Sequence, residues 1–350
     1  MVVGASCDEE WLKFLGEMRG FVPVDAGPLE TFIGVSCRYD KEGGRLFLTQ
    51  THLIHTAMAR FGVNKDCRKY LTPMEANARV TTDDSPQTPD AGNVLLMQSV
   101  LGTLQYIALT RHDIKMAINL LARVASNPSP KHVEMAMRVL MYLVHTMDIP
   151  LVFSRGDWIT PDGLRIKQGQ IVVYVDASFA DSPIELKLKS RTGYVMMRAG
   201  ATICSKSGLQ SIQSGSSCQA EVIALYAASV EAQAALQNLI RLEMPHVGPI
   251  LMMEDNSAAI SVMSASGTST GSNSRHFLVK FFYTAELCAE GTLKLVKVGT
   301  NDQLADGFTK PLLVSTHARH RHFILGLHAL TSEELRDLGL DCYSSAPVSQ

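Results

Sequence analysis

Ile171-Val-Val-Tyr-Val-Asp176 is a run of five apolar or aromatic side chains closed by a carboxylate. A segment that is apolar at every position reads as a central strand buried on both faces, since a strand with one wet face would alternate. A carboxylate ending such a strand is costly unless it is paired or metal-bound. Ile250-Leu-Met-Met253 repeats the pattern on a smaller scale and runs into Glu254-Asp-Asn256. If the two strands are neighbours, Asp176 and Asp255 come together at one end of a sheet.

Outward from these runs, Gly193–Met197 and Ala201–Ser205 read as further strands. From Ser216 to about Glu243 there is no Gly or Pro, which predicts a long helix. Ser216 and Gln219 have capping-box spacing and set its start just before Glu221. A short helix at Ser257–Met263, a helix at Arg275–Glu290 and a strand at Leu293–Val298 follow. Thr300 and Gln303 repeat the capping-box spacing, which places Asp306 about two turns into a last helix. These elements in this order make an α/β domain, residues 171–328, with a mixed sheet and flanking helices.

Upstream, Thr31–Tyr39 and Arg45–Thr49 flank a turn at Lys41–Gly44, and a helix over Thr51–Phe61 ends at Gly62. Ala76–Asn93 is poor in large apolar residues and reads as a surface loop. Leu95–Leu143 is helical in pattern, broken at Thr110–Asp113 and Asn127–Pro130. Residues 1–154 therefore form a small, mainly helical domain with a β-hairpin. Residues 155–170, with three glycines and a proline, fit a linker or a hairpin between the domains. Residues 329–350 read as a short helix over Thr331–Leu340 and a disordered end.

At 350 residues the chain is long enough for two domains. No apolar stretch reaches the roughly 18 residues of a spanning helix, and the acidic start is unlike a secretory signal, so no membrane is expected. Seven cysteines, none in Cys-x-x-Cys, read as reduced thiols in an intracellular compartment. A formal charge of -2 argues against affinity built on bulk attraction to phosphate. The local exception is Glu185–Gln210, where Lys187, Lys189, Arg191, Arg198 and Lys206 face Glu185 alone.

Asp176, Glu221, Asp255 and Asp306 each stand at an element end or near a helix start. Any one of them reads most simply as a turn former or a helix-start charge. Four together point to a shared site of hard oxygen ligands, suited to Mg²⁺ better than Zn²⁺. His317, His320 and His322 raise a separate metalloenzyme reading, although that spacing on a basic tail helix is more typical of a surface.

Several phrases then resemble, in order, the RNase H domain of copia-type retrotransposon Pol polyproteins. They are Tyr174-Val-Asp-Ala-Ser-Phe-Ala180, Ser190-Arg-Thr-Gly-Tyr194, Ser216-Ser-Cys-Gln-Ala-Glu-Val-Ile-Ala-Leu225, Glu254-Asp-Asn-Ser-Ala-Ala-Ile260 and Asp302-Gln-Leu-Ala-Asp-Gly-Phe-Thr-Lys-Pro-Leu312. Gly27-Pro-Leu-Glu-Thr-Phe-Ile-Gly34, Leu101-Gly-Thr-Leu-Gln-Tyr106 and Thr110-Arg-His-Asp-Ile114 are similar to the thumb and connection end of the family's reverse transcriptase. The resemblance implies an RNase H-like fold and a ribonuclease acting on RNA/DNA hybrids. It implies two Mg²⁺ ions, or Mn²⁺ in their place, held by Asp176, Glu221, Asp255 and Asp306.

Gln219 stands where the family usually has another Glu. Arg275-His-Phe-Leu278 keeps a histidine, His276, but lacks the acid that follows it in the family. The polymerase aspartates would precede Met1, so the first region is expected to hold nucleic acid or brace the nuclease, without extending primers. Ser216, Ser217, Asn256, Lys189 and Arg191 are the expected substrate contacts. The expected partners are an RNA/DNA hybrid and the remainder of the Pol polyprotein, in a cytoplasmic particle or the nucleus. The alternative function is a non-catalytic nucleic-acid-binding or scaffold remnant.

Overall fold

In the computed structural model, residues 29–182, 187–264 and 275–340 are described, together with Glu9 and Lys13. The expected acidic start apart from Glu9, together with Glu185, the side chain of His276 and the expected disordered end at Asp341–Gln350, lies outside the described residues.

The continuous apolar run forms β7, Val172–Ser178, in the middle of a five-stranded sheet. With β8 (Arg191–Arg198), β9 (Ala201–Leu209), β10 (Ile250–Glu254) and β11 (Leu293–Lys297), the order is β11-β10-β7-β8-β9. The β7–β8 and β8–β9 pairs are antiparallel, whereas β10 pairs parallel with both β7 and β11. Three sequential antiparallel strands followed by two parallel ones make the mixed sheet expected from the sequence. Burial on both faces explains the absence of alternation. Val172 and Tyr174 pack into the core on one face, and Ile171, Val173 and Val175 into the core on the other.

In the first region, β1 (Thr31–Phe32), β2 (Val35–Asp40) and β3 (Arg45–Thr49) form an antiparallel sheet with a fourth strand, β4, at Leu151–Ser154. Among residues 29–154, four α-helices accompany it: α1 (Thr51–Phe61), α2 (Ala91–Ile107), α3 (Lys115–Ala122) and α4 (Pro130–Val144). Gly62 ends α1 in the left-handed conformation, φ 66°, as expected of a glycine cap. The surface loop ends sooner than expected, because Asp90 accepts a hydrogen bond from Asn93 N and starts α2 at Ala91.

Residues 155–170 contain a two-stranded hairpin, β5 (Trp158–Ile159) with β6 (Arg165–Ile166). Trp158 and Ile166 are buried in the same apolar cluster as Phe47, Leu151, Tyr174 and Val195. Strand β4 also receives a bond from the far end of the chain, Val152 N to Leu325 O at 2.9 Å.

The second region adds α5 (Ser217–Arg241), α6 (Ser257–Ser264), α7 (Arg275–Ala289), α8 (Asp306–Thr309), α9 (Val314–Ile324) and α10 (Ser332–Asp337). α5 lies on the sheet face formed by Ile171, Val173 and Val175, with Ala224, Leu225 and Ala228 against them. Among the described residues, no helix is long and apolar enough to cross a membrane.

Candidate metal centre

Alternation along β7 directs Asp176 to the face of Val172 and Tyr174, and parallel pairing supplies its neighbour. Tyr174 stands opposite Met253, so two residues further on Asp176 and Asp255 occupy matching positions at the carboxyl ends of β7 and β10. Glu221 reaches the same place from the second turn of α5. The cap at Ser216 fixes that helix start, its Oγ accepting from Gln219 N at 3.2 Å. The expected reciprocal half of the capping box is displaced, because Gln219 Oε1 accepts from Gly215 N at 2.8 Å. Carboxylate oxygens of Asp176, Glu221 and Asp255 all lie within 4.8 Å of one another.

Asp306 departs from its expected setting. Thr300 and Gln303 form no capping box, and the single turn Thr300–Asp302 has no side-chain cap. Gln303 is instead fully buried, with its Nε2 donating to Val175 O at 2.8 Å and Met253 O at 3.4 Å. One amide thus ties the two central strands together just before their aspartates. Asp306 then opens the four-residue helix α8 rather than lying two turns into a longer one. It is buried and pairs with Lys310 Nζ at 2.9 Å. The charge of Asp176 is one of the causes acting on its carboxyl, so the two acids share a field, although Asp306 stands outside the 4.8 Å set.

This approach depends on Gly193, which β8 places directly opposite Asp176. A Cβ there would lie 2.6 Å from Thr309 Cγ2 and 3.0 Å from both Ala305 O and Phe308 Cβ. The missing side chain lets α8 rest on the strand. Thr309 Oγ1 in turn donates to Asp176 Oδ2.

The electrostatics are those of crowded, buried anions. Burial, then the charges of Glu254, Asp176 and Asp255, pushes the Glu221 carboxyl up to about 11. Burial with Asp176 nearby raises Asp306 to about 7. Asp176 is also raised, mainly by burial, against the lowering effect of the Thr309 hydroxyl.

Glu254 is the acid that sequence reasoning missed. It is fully buried, with Oε1 accepting from Asn256 N at 2.9 Å and Oε2 without a partner, and burial lifts its carboxyl to about 8. The signal was present: alternation from Met253 and Asp255 turns Glu254 to the α5 face, where Glu221 stands. Glu221 Oε2 is likewise buried and unpartnered. Hard oxygens, two of them orphaned, fit a divalent cation of the Mg²⁺ class.

The expected substrate contacts divide. Ser216 and Ser217 are exposed at the start of α5, and Asn256 caps α6, with Oδ1 accepting from Ala258 N at 3.0 Å and Ala259 N at 3.1 Å. Lys189 is half-buried. Arg191 requires correction as a surface contact, because it has no exposed area. Its Nε is 2.8 Å from Asp181 Oδ2, and its Nη1 donates to Asn119 Oδ1 and Ser207 Oγ. Arg198 donates to Pro245 O at 2.7 Å. The positive segment therefore presents Lys187, Lys189 and Lys206.

The histidine tract is also placed differently from expectation. His317 and His320 are buried in α9, and burial lowers both rings, His317 to about 4 and His320 to about 3. Among the described residues, these three histidines form no group with metal-ligand spacing.

No protein-family model matches the chain. A Retrovirus-related Pol polyprotein from transposon TNT 1-94 of Nicotiana tabacum is 27% identical over 303 residues, covering 85% of this chain and 22% of that protein. The transposon RE2 Pol polyprotein of Arabidopsis thaliana is 26% identical over 284 residues, 81% of this chain and 18% of that one. This chain is a relative of copia-type retrotransposon Pol polyproteins. It spans about a fifth of the length of these relatives. Yeast Ty1 Gag-Pol polyproteins, such as that of Ty1-DR6, match 73% of the chain at 26% identity. Among solved structures, LC11-RNase H1 superimposes on 40% of this chain and 93% of its own, with TM-score 0.31 and 19% identity. The same enzyme in complex with an RNA/DNA hybrid gives TM-score 0.28 over the same coverage.

Proposed function

We propose that the chain is an RNase H-type endonuclease that hydrolyses the RNA strand of RNA/DNA hybrids with two divalent cations. The observation that carries the reading is the convergence of Asp176, Glu221 and Asp255 within 4.8 Å at the carboxyl ends of two parallel central strands. The resemblance of the Asp176, Glu221 and Asp255 phrases to the RNase H domain of copia-type Pol polyproteins supports the substrate class.

Asp176, central in the group, would be shared between the ions, with Glu221 and Asp255 on one side and Asp306 on the other. Bound there, the cations supply an activated water and stabilise the leaving 3′-oxygen. The chain's own residues hold the acids still: Thr309 fixes the Asp176 carboxylate, Gln303 locks the strand ends, and Lys310 holds Asp306. Ser216 and Ser217 at the exposed start of α5, and Asn256 ahead of α6, would meet a backbone in the shallow groove of an A-like duplex. Lys187, Lys189 and Lys206 provide a salt-sensitive phosphate contact.

Incubation of the purified chain with a hybrid carrying a labelled RNA strand, in Mg²⁺ or in chelator, tests the reading. Metal-dependent cleavage of the RNA strand alone is expected. Folded protein that binds hybrid and leaves it intact with Mg²⁺ and Mn²⁺ would establish the non-catalytic remnant instead.

A further inference from the structure

The phrase Thr110-Arg-His-Asp-Ile114 takes no part in the chemistry above, yet nearly every polar group in it is buried and engaged. Thr110 Oγ1 donates to Gln50 Oε1 at 2.9 Å, and His112 Nδ1 lies 2.8 Å from Ser205 Oγ on β9. Arg111 grips Asp113 through Nε at 2.9 Å and Nη2 at 2.7 Å, and donates through Nη1 to Thr146 O at 2.7 Å. Tyr142 OH donates to Asp113 Oδ2 at 2.6 Å and accepts from Arg321 Nη1 at 3.1 Å.

That last bond crosses from the first region to α9, where the ring of His317 also stands edge-on to Tyr142 at 5.6 Å. Helix α9 follows directly on α8, which bears Asp306. The seam beside α8 is nearly closed. A cavity of about 10 Å³ remains between Thr72, Met74 and Met116 on one side and Gly307, Lys310 and Leu312 on the other. The α8–α9 segment is thus wedged between the nuclease sheet at Gly193 and a wall built from the first region.

We propose that the first region seats the fourth acid of the metal centre, with Tyr142 and Arg321 as positioning residues that hold α8 and α9 so that Asp306 faces Asp176. The proposal rests on the reading of Asp306 as a ligand to one of two cations. Asp176 touches α8 through the Thr309 hydroxyl, whereas Glu221 and Asp255 stand on α5 and just beyond β10, so the cation these three hold responds less to the brace than the one at Asp306.

The test is Mn²⁺ binding to the full chain, followed by calorimetry and by electron paramagnetic resonance, in Tyr142→Phe, Arg321→Met, Arg321→Lys and Asp306→Asn. Each variant is first shown to melt cooperatively. Loss of a partner that orients a ligand weakens metal affinity by about 10–100-fold. Tyr142→Phe and Arg321→Met are expected to weaken one of two Mn²⁺ sites by that factor and the other by clearly less, with Arg321→Lys partly restoring the weakened site. Asp306→Asn should weaken the same site. If Asp306→Asn weakens a site while the Tyr142 and Arg321 variants bind like the parent, the brace is refuted and the ligand reading stands. If Asp306→Asn itself leaves both sites unchanged, the ligand reading fails. A cooperative melt with both sites weakened equally points to general loosening and overturns the proposal.

Discussion

Substituting Gly193 by alanine adds one methyl group beside the candidate metal centre. The position has no left-handed φ to protect, so the backbone accepts alanine and the effect is purely steric. The new Cβ would lie 2.6 Å from Thr309 Cγ2, whereas ordinary contact begins at 3.4 Å, so α8 must retreat by about 0.8 Å or the strand must bend. Ala305 O, at 3.0 Å, is backbone and cannot swing aside. Overpacking of this kind costs about 1–3 kcal/mol. A misplacement near 1 Å at a reacting centre costs roughly 100-fold in rate. Gly208→Ala on the adjacent strand is the control, since nothing lies within 4 Å of a Cβ there. Urea unfolding and Mg²⁺-dependent hybrid cleavage, read side by side, should show Gly193→Ala impaired in both and Gly208→Ala in neither. Parent-like cleavage by Gly193→Ala would refute the claim that α8 must touch β8 for Asp306 to serve.

Asp255→Asn should abolish cleavage while leaving metal-free stability unchanged or higher, because the amide keeps the shape and removes one of the crowded charges; a drop in melting temperature in chelator would contradict this. In metal-free protein, Asp306 at about 7 and Glu254 at about 8 both lie above their unfolded values. The stability they confer while protonated is lost as pH rises through those values, so the melting temperature in chelator should fall between about pH 5 and 8. Mg²⁺ should remove most of that fall, and a flat or rising profile in chelator would count against the crowded-acid description. Replacing Lys187 and Lys206 by alanine should lower the salt dependence of hybrid binding by about one unit of slope per lysine in contact. An unchanged slope would move the phosphate contacts elsewhere.

What was legible in the sequence was mostly local. An apolar run without alternation identified β7, Gly62 marked the end of α1, and the long stretch without Gly or Pro gave α5. The pairing of Asp176 with Asp255 followed because two such runs each end in an acid and neighbour one another in the sheet. What was missed depends on contacts distant in sequence. Gln303 has capping-box spacing from Thr300, yet its amide is taken by carbonyls of Val175 and Met253, a competition that spacing cannot register. Arg191 belongs to a basic run but is neutralised by Asp181 and buried under Asn119 of the first region. The histidines of α9 were expected at the surface because the helix sequence is polar, whereas the first region, with Tyr142, covers that side. Glu254 was overshadowed by the aspartate beside it, although strand alternation alone sends it to the buried face against α5.

Anomalous diffraction from crystals grown with Mn²⁺ would locate the cations themselves. Two peaks about 3.5–4 Å apart are expected, one among Asp176, Glu221 and Asp255 and the other between Asp176 and Asp306. A fully occupied single peak, or peaks away from these carboxylates, would contradict the two-cation reading.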